Sequence, residues 1–205
     1  SDWRNQRIWL NLERPHYETR VWIDNQEIGL QNSLCVAHVY DLTGKLSTGK
    51  HTITVRVDNK TKEINVGKDS HSITDHTQGN WNGIVGKMEL GTEGQVWLSD
   101  VQVYPNVKEK LAKIVIQLEN NLPATVSGKI NLFAKSFNAT KQHSATPLTV
   151  DFKAEKGSNT FTYTLPMGDD FLTWDEYVPA LYKLNVQVST KEGVQSVRDV
   201  QFGMR

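Results

Sequence analysis

Net charge is the first thing missing: 23 lysines and arginines are balanced by 23 aspartates and glutamates. Wrapping a phosphate backbone requires a basic footprint, so nucleic acid is not an expected partner. A single cysteine, Cys35, excludes an internal disulfide. Its setting in "SLCVAHVY" suggests a small buried residue rather than an activated thiol, and the redox compartment stays open. No apolar run approaches the roughly 18 residues of a helical membrane span, and "SDWRNQRIWL" lacks the charged-then-apolar layout of a signal peptide. There is no internal repeat and no low-complexity tract. Serine, histidine and aspartate all occur, but without a G-x-S-x-G elbow, so a nucleophilic triad has no support. The chain opens without an initiator methionine, and Arg7 to Leu12 already reads as a strand. It is expected to be a piece of something longer, with any export signal lying outside it.

What the sequence does have is the two-residue period of half-buried strands. At 205 residues and 38% hydrophobic content it can bury a sizeable core, or two modest ones. Ile8, Leu10 and Leu12 share one strand face. Val21 and Ile23 do the same before Asp24-Asn25-Gln26, which has the chemistry of a hairpin tip. Ile53, Val55 and Val57 alternate with Thr52, Thr54 and Arg56 between two polar turns. Further strands are expected at 87–90, 96–98, 101–104, 130–134, 148–152, 161–165, 182–188 and 197–202. The segment "VKEKLAKIVIQLEN" fits both a helical stripe and a strand face. The β-branched Ile114-Val115-Ile116 crowds a helix, so 113–120 is read as a strand. The class is all-β, of sandwich type. A proline and a charged patch in "VYPNVKEKLA" place the expected boundary near Asn106, giving domains at 1–106 and 107–205.

Several stretches carry a family resemblance. The order "VWIDNQEIG", "VYDLTGKLSTGKHTITVRVDN", "WNGIVGKMEL" and "VWLSDVQVYP" resembles the sugar-binding jelly-roll domain of glycoside hydrolase family 2, the β-galactosidase and β-glucuronidase family. "LTWDEYVPALYKLNVQV" is similar to the end of the family's immunoglobulin-like domain, with Trp174 and Tyr182 as packing anchors. The closing "FGMR" resembles the segment that leads into the catalytic (β/α)₈ barrel. Three departures stand out. Asp24-Asn25 replaces the usual Asn-Gly, a swap that still tolerates positive φ. Gly86 stands where relatives often carry an arginine, so any ion pair made there is lost. The family's first jelly-roll strands, which precede the "DW" of Asp2-Trp3, are absent, so an exposed sheet edge or open face is expected.

The resemblance implies a jelly-roll (galactose-binding-like) β-sandwich followed by an immunoglobulin-like one. These domains would support and partly wall a C-terminal barrel that hydrolyses terminal β-glycosides. It implies that both catalytic glutamates lie in that barrel, with no catalytic residue here, no metal and no cofactor. The pair Asp175-Glu176 is not an acid and base, because adjacent strand residues point to opposite faces. The implied location is bacterial, periplasmic or secreted. Homo-oligomer formation is left open, and so is which β-glycoside is hydrolysed.

The sharpest local constellation is "DSHSITDHTQGNWNG", Asp69 to Gly83. Long polar loops in compact domains tend to be functional. Carboxylates and carboxamides hydrogen-bond sugar hydroxyls in pairs, and an aromatic face covers the C–H side of a pyranose. The corresponding family loop reaches toward the barrel mouth. By that resemblance Asp75, His76, Gln78, Asn80 and Trp81 are the candidate substrate-binding residues. Packing against another domain and turn capping by Asn80 and Asn82 stay open beside that reading. His71, Asp75 and His76 have the composition of a metal site but no recognised ligand spacing. Trp9, Trp22 and Trp97 sit on strands, where a buried or interface tryptophan is the commoner outcome. A stand-alone carbohydrate-binding module and a structural tandem of sandwiches are the alternative functions.

Overall fold

The computed structural model describes residues 3–60, 67, 70, 79 and 81–205. Among these there is no helix, and the chain divides into two compact units, Ser1–Thr92 and Glu93–Arg205.

Unit 1 is built from β1 (Arg7–His16), β2 (Glu18–Ile23), β3 (Gln26–Asn32), β4 (His38–Asp41), β5 (Ile53–Asp58) and β6 (Gly83–Glu93), the last running to the unit boundary. These strands form two three-stranded sheets, β4-β1-β6 and β3-β2-β5. The alternation of β1 buries Ile8, Leu10 and Leu12 against Val21 and Ile23 of β2, with Tyr40 and Leu42 closing the cluster. Asp24 takes φ 52° in the two-residue turn between β2 and β3. Its carboxylate accepts from the Thr52 amide at 2.9 Å, which ties the hairpin tip to the start of β5. Cys35 is exposed rather than buried. The apolar look of "LCVA" belongs to the connection between β3 and β4, where the Cys35 amide bonds to Ser33 Oγ.

Unit 2 is a seven-stranded sandwich of β7 (Val96–Asn106), β8 (Leu111–Asn120), β9 (Val126–Ser136), β10 (Leu148–Ala154), β11 (Gly157–Pro166), β12 (Tyr182–Thr190) and β13 (Gly193–Phe202). A three-stranded sheet, β11-β8-β7, faces a four-stranded one, β10-β9-β12-β13, around a single core. The ambiguous segment is β8, and its Ala112, Ile114, Ile116 and Leu118 are fully buried. Each such isoleucine or leucine contributes about 1.5–3 kcal/mol, and a slip of one residue would turn the whole set to solvent. Tyr182, at the start of β12, accepts a hydrogen bond from the Leu172 amide at 2.8 Å and pairs with His143 Nδ1 at 2.9 Å. This is the tyrosine-corner arrangement of immunoglobulin-like sandwiches.

The expected boundary near Asn106 falls inside unit 2. Strand β7 pairs with β8 from Val96 to Asn106, and Val96, Leu98 and Val101 belong to the unit 2 core. Pro105 lies within β7, opposite Ala112, and the charged patch after it forms the hairpin turn, in which Asn106 Oδ1 accepts from the Glu109 amide and Lys110 takes φ 56°. Hairpins and linkers use the same punctuation residues, so the sequence pattern does not separate them. The separate stretches expected at 96–98 and 101–104 are one strand with a bulge between Leu98 and Asp100.

Candidate functional site

Of the five candidate residues, Asp75, His76, Gln78 and Asn80 lie outside the described residues, as do His71 and Asp69. Trp81 is described, and it is 37% exposed just ahead of β6. Two residues on, Gly83 has φ 78°, a backbone state that glycine enters at no steric cost. Asn82 Oδ1 accepts from Asn59 Nδ2, which joins the residue after β5 to the residue before β6.

Trp81 is anchored from the far end of β1. His16, 4% exposed, directs Nδ1 at the Trp81 carbonyl oxygen. Its ring lies 5.1 Å from the indole at a tilt of 44°. A carbonyl only accepts, so Nδ1 carries a proton and donates it to Trp81. The other ring nitrogen, Nε2, is buried and has no hydrogen-bond partner among the described residues. The sequence carries no local signal for this pair, because the two residues are 65 positions apart and His16 merely ends an apolar strand.

Gly86 is explained by its neighbour. It has φ 89°, and a Cβ there would collide with the Glu13 carboxylate, which accepts from the Lys87 amide at 2.7 Å. The space a side chain would take at this position is filled by Glu13.

Two further polar groups of unit 1 have environments that shift their protonation. Buried His38 lies 2.6 Å from Thr19 Oγ1, and Tyr40 donates to the Thr19 carbonyl at 2.8 Å. Burial lowers the His38 pKa and raises that of the Tyr40 phenol. His51, at the surface, is raised by its 2.8 Å hydrogen bond to Asp24, while the Thr52 amide and then His51 hold the Asp24 carboxyl below the usual aspartate value.

Trp9, Trp22 and Trp97 are half-buried, and the Trp9 ring occupies the space where Gly91 has no side chain. Asp175 spends one carboxylate oxygen on the amides of Tyr177 and Val178, at 2.8 and 2.7 Å. Its role is to cap a turn. The Trp174 amide bonds to the Met204 carbonyl at 2.9 Å, and Arg205 sits 4.9 Å above the Trp174 ring, so the closing "FGMR" is latched to the sandwich. Among the described residues no group of three or more His, Cys, Asp or Glu side chains is placed to hold a metal ion.

The family profile described as Glycosyl hydrolases family 2 matches residues 96–205, nearly all of unit 2. The chain belongs to glycosyl hydrolase family 2. A β-galactosidase from Oenococcus oeni is 27% identical over 198 residues, which cover 90% of this chain and 18% of that protein. Among solved structures, the Bacteroides uniformis β-glucuronidase 2 aligns with a TM-score of 0.80 at 16% identity, covering 99% of this chain and 25% of that one. A putative β-galactosidase from Bacteroides fragilis aligns with a TM-score of 0.78 at 18% identity, covering 100% of this chain and 31% of that one. The chain therefore spans under a third of the length of these family 2 relatives, and its fold is theirs: a jelly-roll sandwich followed by an immunoglobulin-like one.

Proposed function

We propose that residues 1–205 are the non-catalytic front of a family 2 glycoside hydrolase. The two sandwiches support a C-terminal (β/α)₈ barrel, and the segment from Asp75 through Asn80 to Trp81 forms part of the wall around the terminal sugar. The observation that carries this reading is the pairing of near-complete coverage of this chain with 18–31% coverage of its relatives. Retaining hydrolysis needs two carboxylates about 5–5.5 Å apart, and the reading places both in the barrel. The substrate class is a terminal β-glycoside, with a β-galactoside as the first choice because the relative nearest in sequence reported above is a β-galactosidase.

The test compares the 205-residue chain with the longer polypeptide on 4-nitrophenyl β-galactoside and β-glucuronide. Turnover is expected only from the longer polypeptide, and Trp81→Ala in it is expected to raise KM. Hydrolysis by the 205-residue chain alone, or a longer polypeptide inert toward every β-glycoside tried, would overturn the proposal. Millimolar binding of these sugars by the short chain would favour a stand-alone carbohydrate-binding module instead.

A further inference from the structure

The outer face of the four-stranded sheet in unit 2 carries a groove of about 490 Å³, a volume typical of small-ligand sites. Strand register builds its floor. Asn185 of β12 lies opposite Phe133 of β9 on one side and Asp199 of β13 on the other. The neighbouring outward row sets Lys183 directly opposite Lys135.

Three features of this floor are out of place on a plain solvent face. Phe133 and Phe137 are 39% and 45% exposed, where polar side chains are the rule. The facing lysines repel each other, and only one has a counter-charge: Asp199 sits 3.8 Å from Lys183 Nζ, while no ion pair reaches Lys135 among the described residues. Unsatisfied carboxamide oxygens also line it. Asn185 donates one amide N–H to Asp199 at 2.8 Å and Gln142 one to the Ala139 carbonyl at 2.6 Å, while Asn185 Oδ1 and Gln142 Oε1 accept from no group among the described residues.

A ligand that satisfies this set needs a flat C–H face for the phenyl rings, several hydroxyl donors for the acceptors, and one negative charge for Lys135. We propose that the groove binds a uronic acid residue of an acidic saccharide. The carboxylate meets the Lys135 ammonium, the pyranose covers Phe133 and Phe137, and ring hydroxyls donate to Asn185 and Gln142. A neutral sugar leaves the ammonium unpaired, and an acidic peptide lacks the rigid C–H face. The site concerns unit 2 alone, so it stands or falls separately from the role proposed above.

The test is titration of the ¹⁵N-labelled 205-residue chain with trigalacturonate, with lactose and tetra-aspartate as comparison ligands, read by amide shifts. Trigalacturonate is expected to bind with Kd of about 1 mM, moving resonances of β9, β12 and β13. Lys135→Gln and Phe133→Ser are each expected to weaken binding about fivefold. Both side chains point outward, so neither change should move the thermal midpoint. If Phe133→Ser unfolds the chain, Lys135→Gln alone decides. No shift at 20-fold the expected Kd would overturn the proposal. So would lactose or tetra-aspartate binding as tightly as trigalacturonate, or full affinity retained in Lys135→Gln.

Discussion

At the residue scale, unit 1 depends on a few long-range polar contacts that local patterns do not encode. His16 holds Trp81 by one hydrogen bond and one ring contact, both buried at the histidine. Removing the ring leaves the Trp81 carbonyl without its donor, a loss of about 1–3 kcal/mol. His16→Ala is therefore expected to lower the urea midpoint of unit 1 and to shift the Trp81 indole N–H resonance; an unmoved indole resonance would refute the anchoring role. Gly86 makes the opposite point, since its resemblance to relatives invites an arginine. Both the positive φ and the Glu13 carboxylate oppose a side chain there. Gly86→Arg is expected to destabilise unit 1 by about 1–3 kcal/mol, measured by thermal melting, despite the favourable charge it brings to Glu13.

The two histidines of unit 1 with shifted pKa values respond to pH with opposite signs. The folded pKa of His38 lies below its unfolded value of about 6.5. Between those two values the unfolded chain binds more protons, so the His38 contribution is present above about pH 6.5 and is lost as pH falls toward the folded pKa. The folded pKa of His51 is raised, so its contribution is present below about pH 6.5 and is lost as pH climbs through that raised value. Urea midpoints of the His51→Ala chain are therefore expected to fall more steeply on acidification from pH 7 to pH 5 than those of the parent. Those of His38→Gln should fall less steeply. Reversal of either order would show that the wrong histidine had been assigned.

At the element scale, the strands were legible because one period was repeated with little competition. The apolar faces of β1, β2 and β8 could be read directly, since alternation decides which side chains are buried. The β7-β8 hairpin was not legible as a hairpin. Proline and charge mark a break in the chain, whereas the pairing that follows is set by a core lying on both sides of that break. The edges follow from pairing alone: β5 and β6 each terminate a sheet among the described strands. Val85, Met88 and Leu90 of β6 are all exposed, with Met88 at 57%. Apolar edges recruit other edges. The 205-residue chain is expected to self-associate as its concentration rises, and Met88→Lys is expected to reduce that association without lowering the melting temperature, as followed by sedimentation velocity. A variant that associates as strongly as the parent would locate the sticky surface elsewhere.

At the scale of the whole chain, the two cores share no residue, and among the described residues that of unit 2 is much the larger. Unit 1 gathers Ile8, Leu10, Leu12, Val21, Ile23, Tyr40 and Leu42, whereas the unit 2 cluster draws on all seven of its strands. Buried apolar area is the main source of stability, at about 25 cal/mol per Å², so unit 2 should withstand more heat and more denaturant. Unit 1 also contains the candidate sugar-facing segment and the exposed β6 edge, which fits the tendency of functional regions to come from the less stable part of a protein. Calorimetry of the 205-residue chain is expected to give two transitions, the lower one abolished in a chain beginning at Glu93 and the upper one retained. Limited proteolysis below the upper transition should leave a fragment that starts near the unit boundary rather than near Asn106, because cutting at Asn106 would strip β7 from the β11-β8-β7 sheet. A single transition, or a stable fragment beginning after Asn106, would mean that unit 2 does not fold as one body with β7.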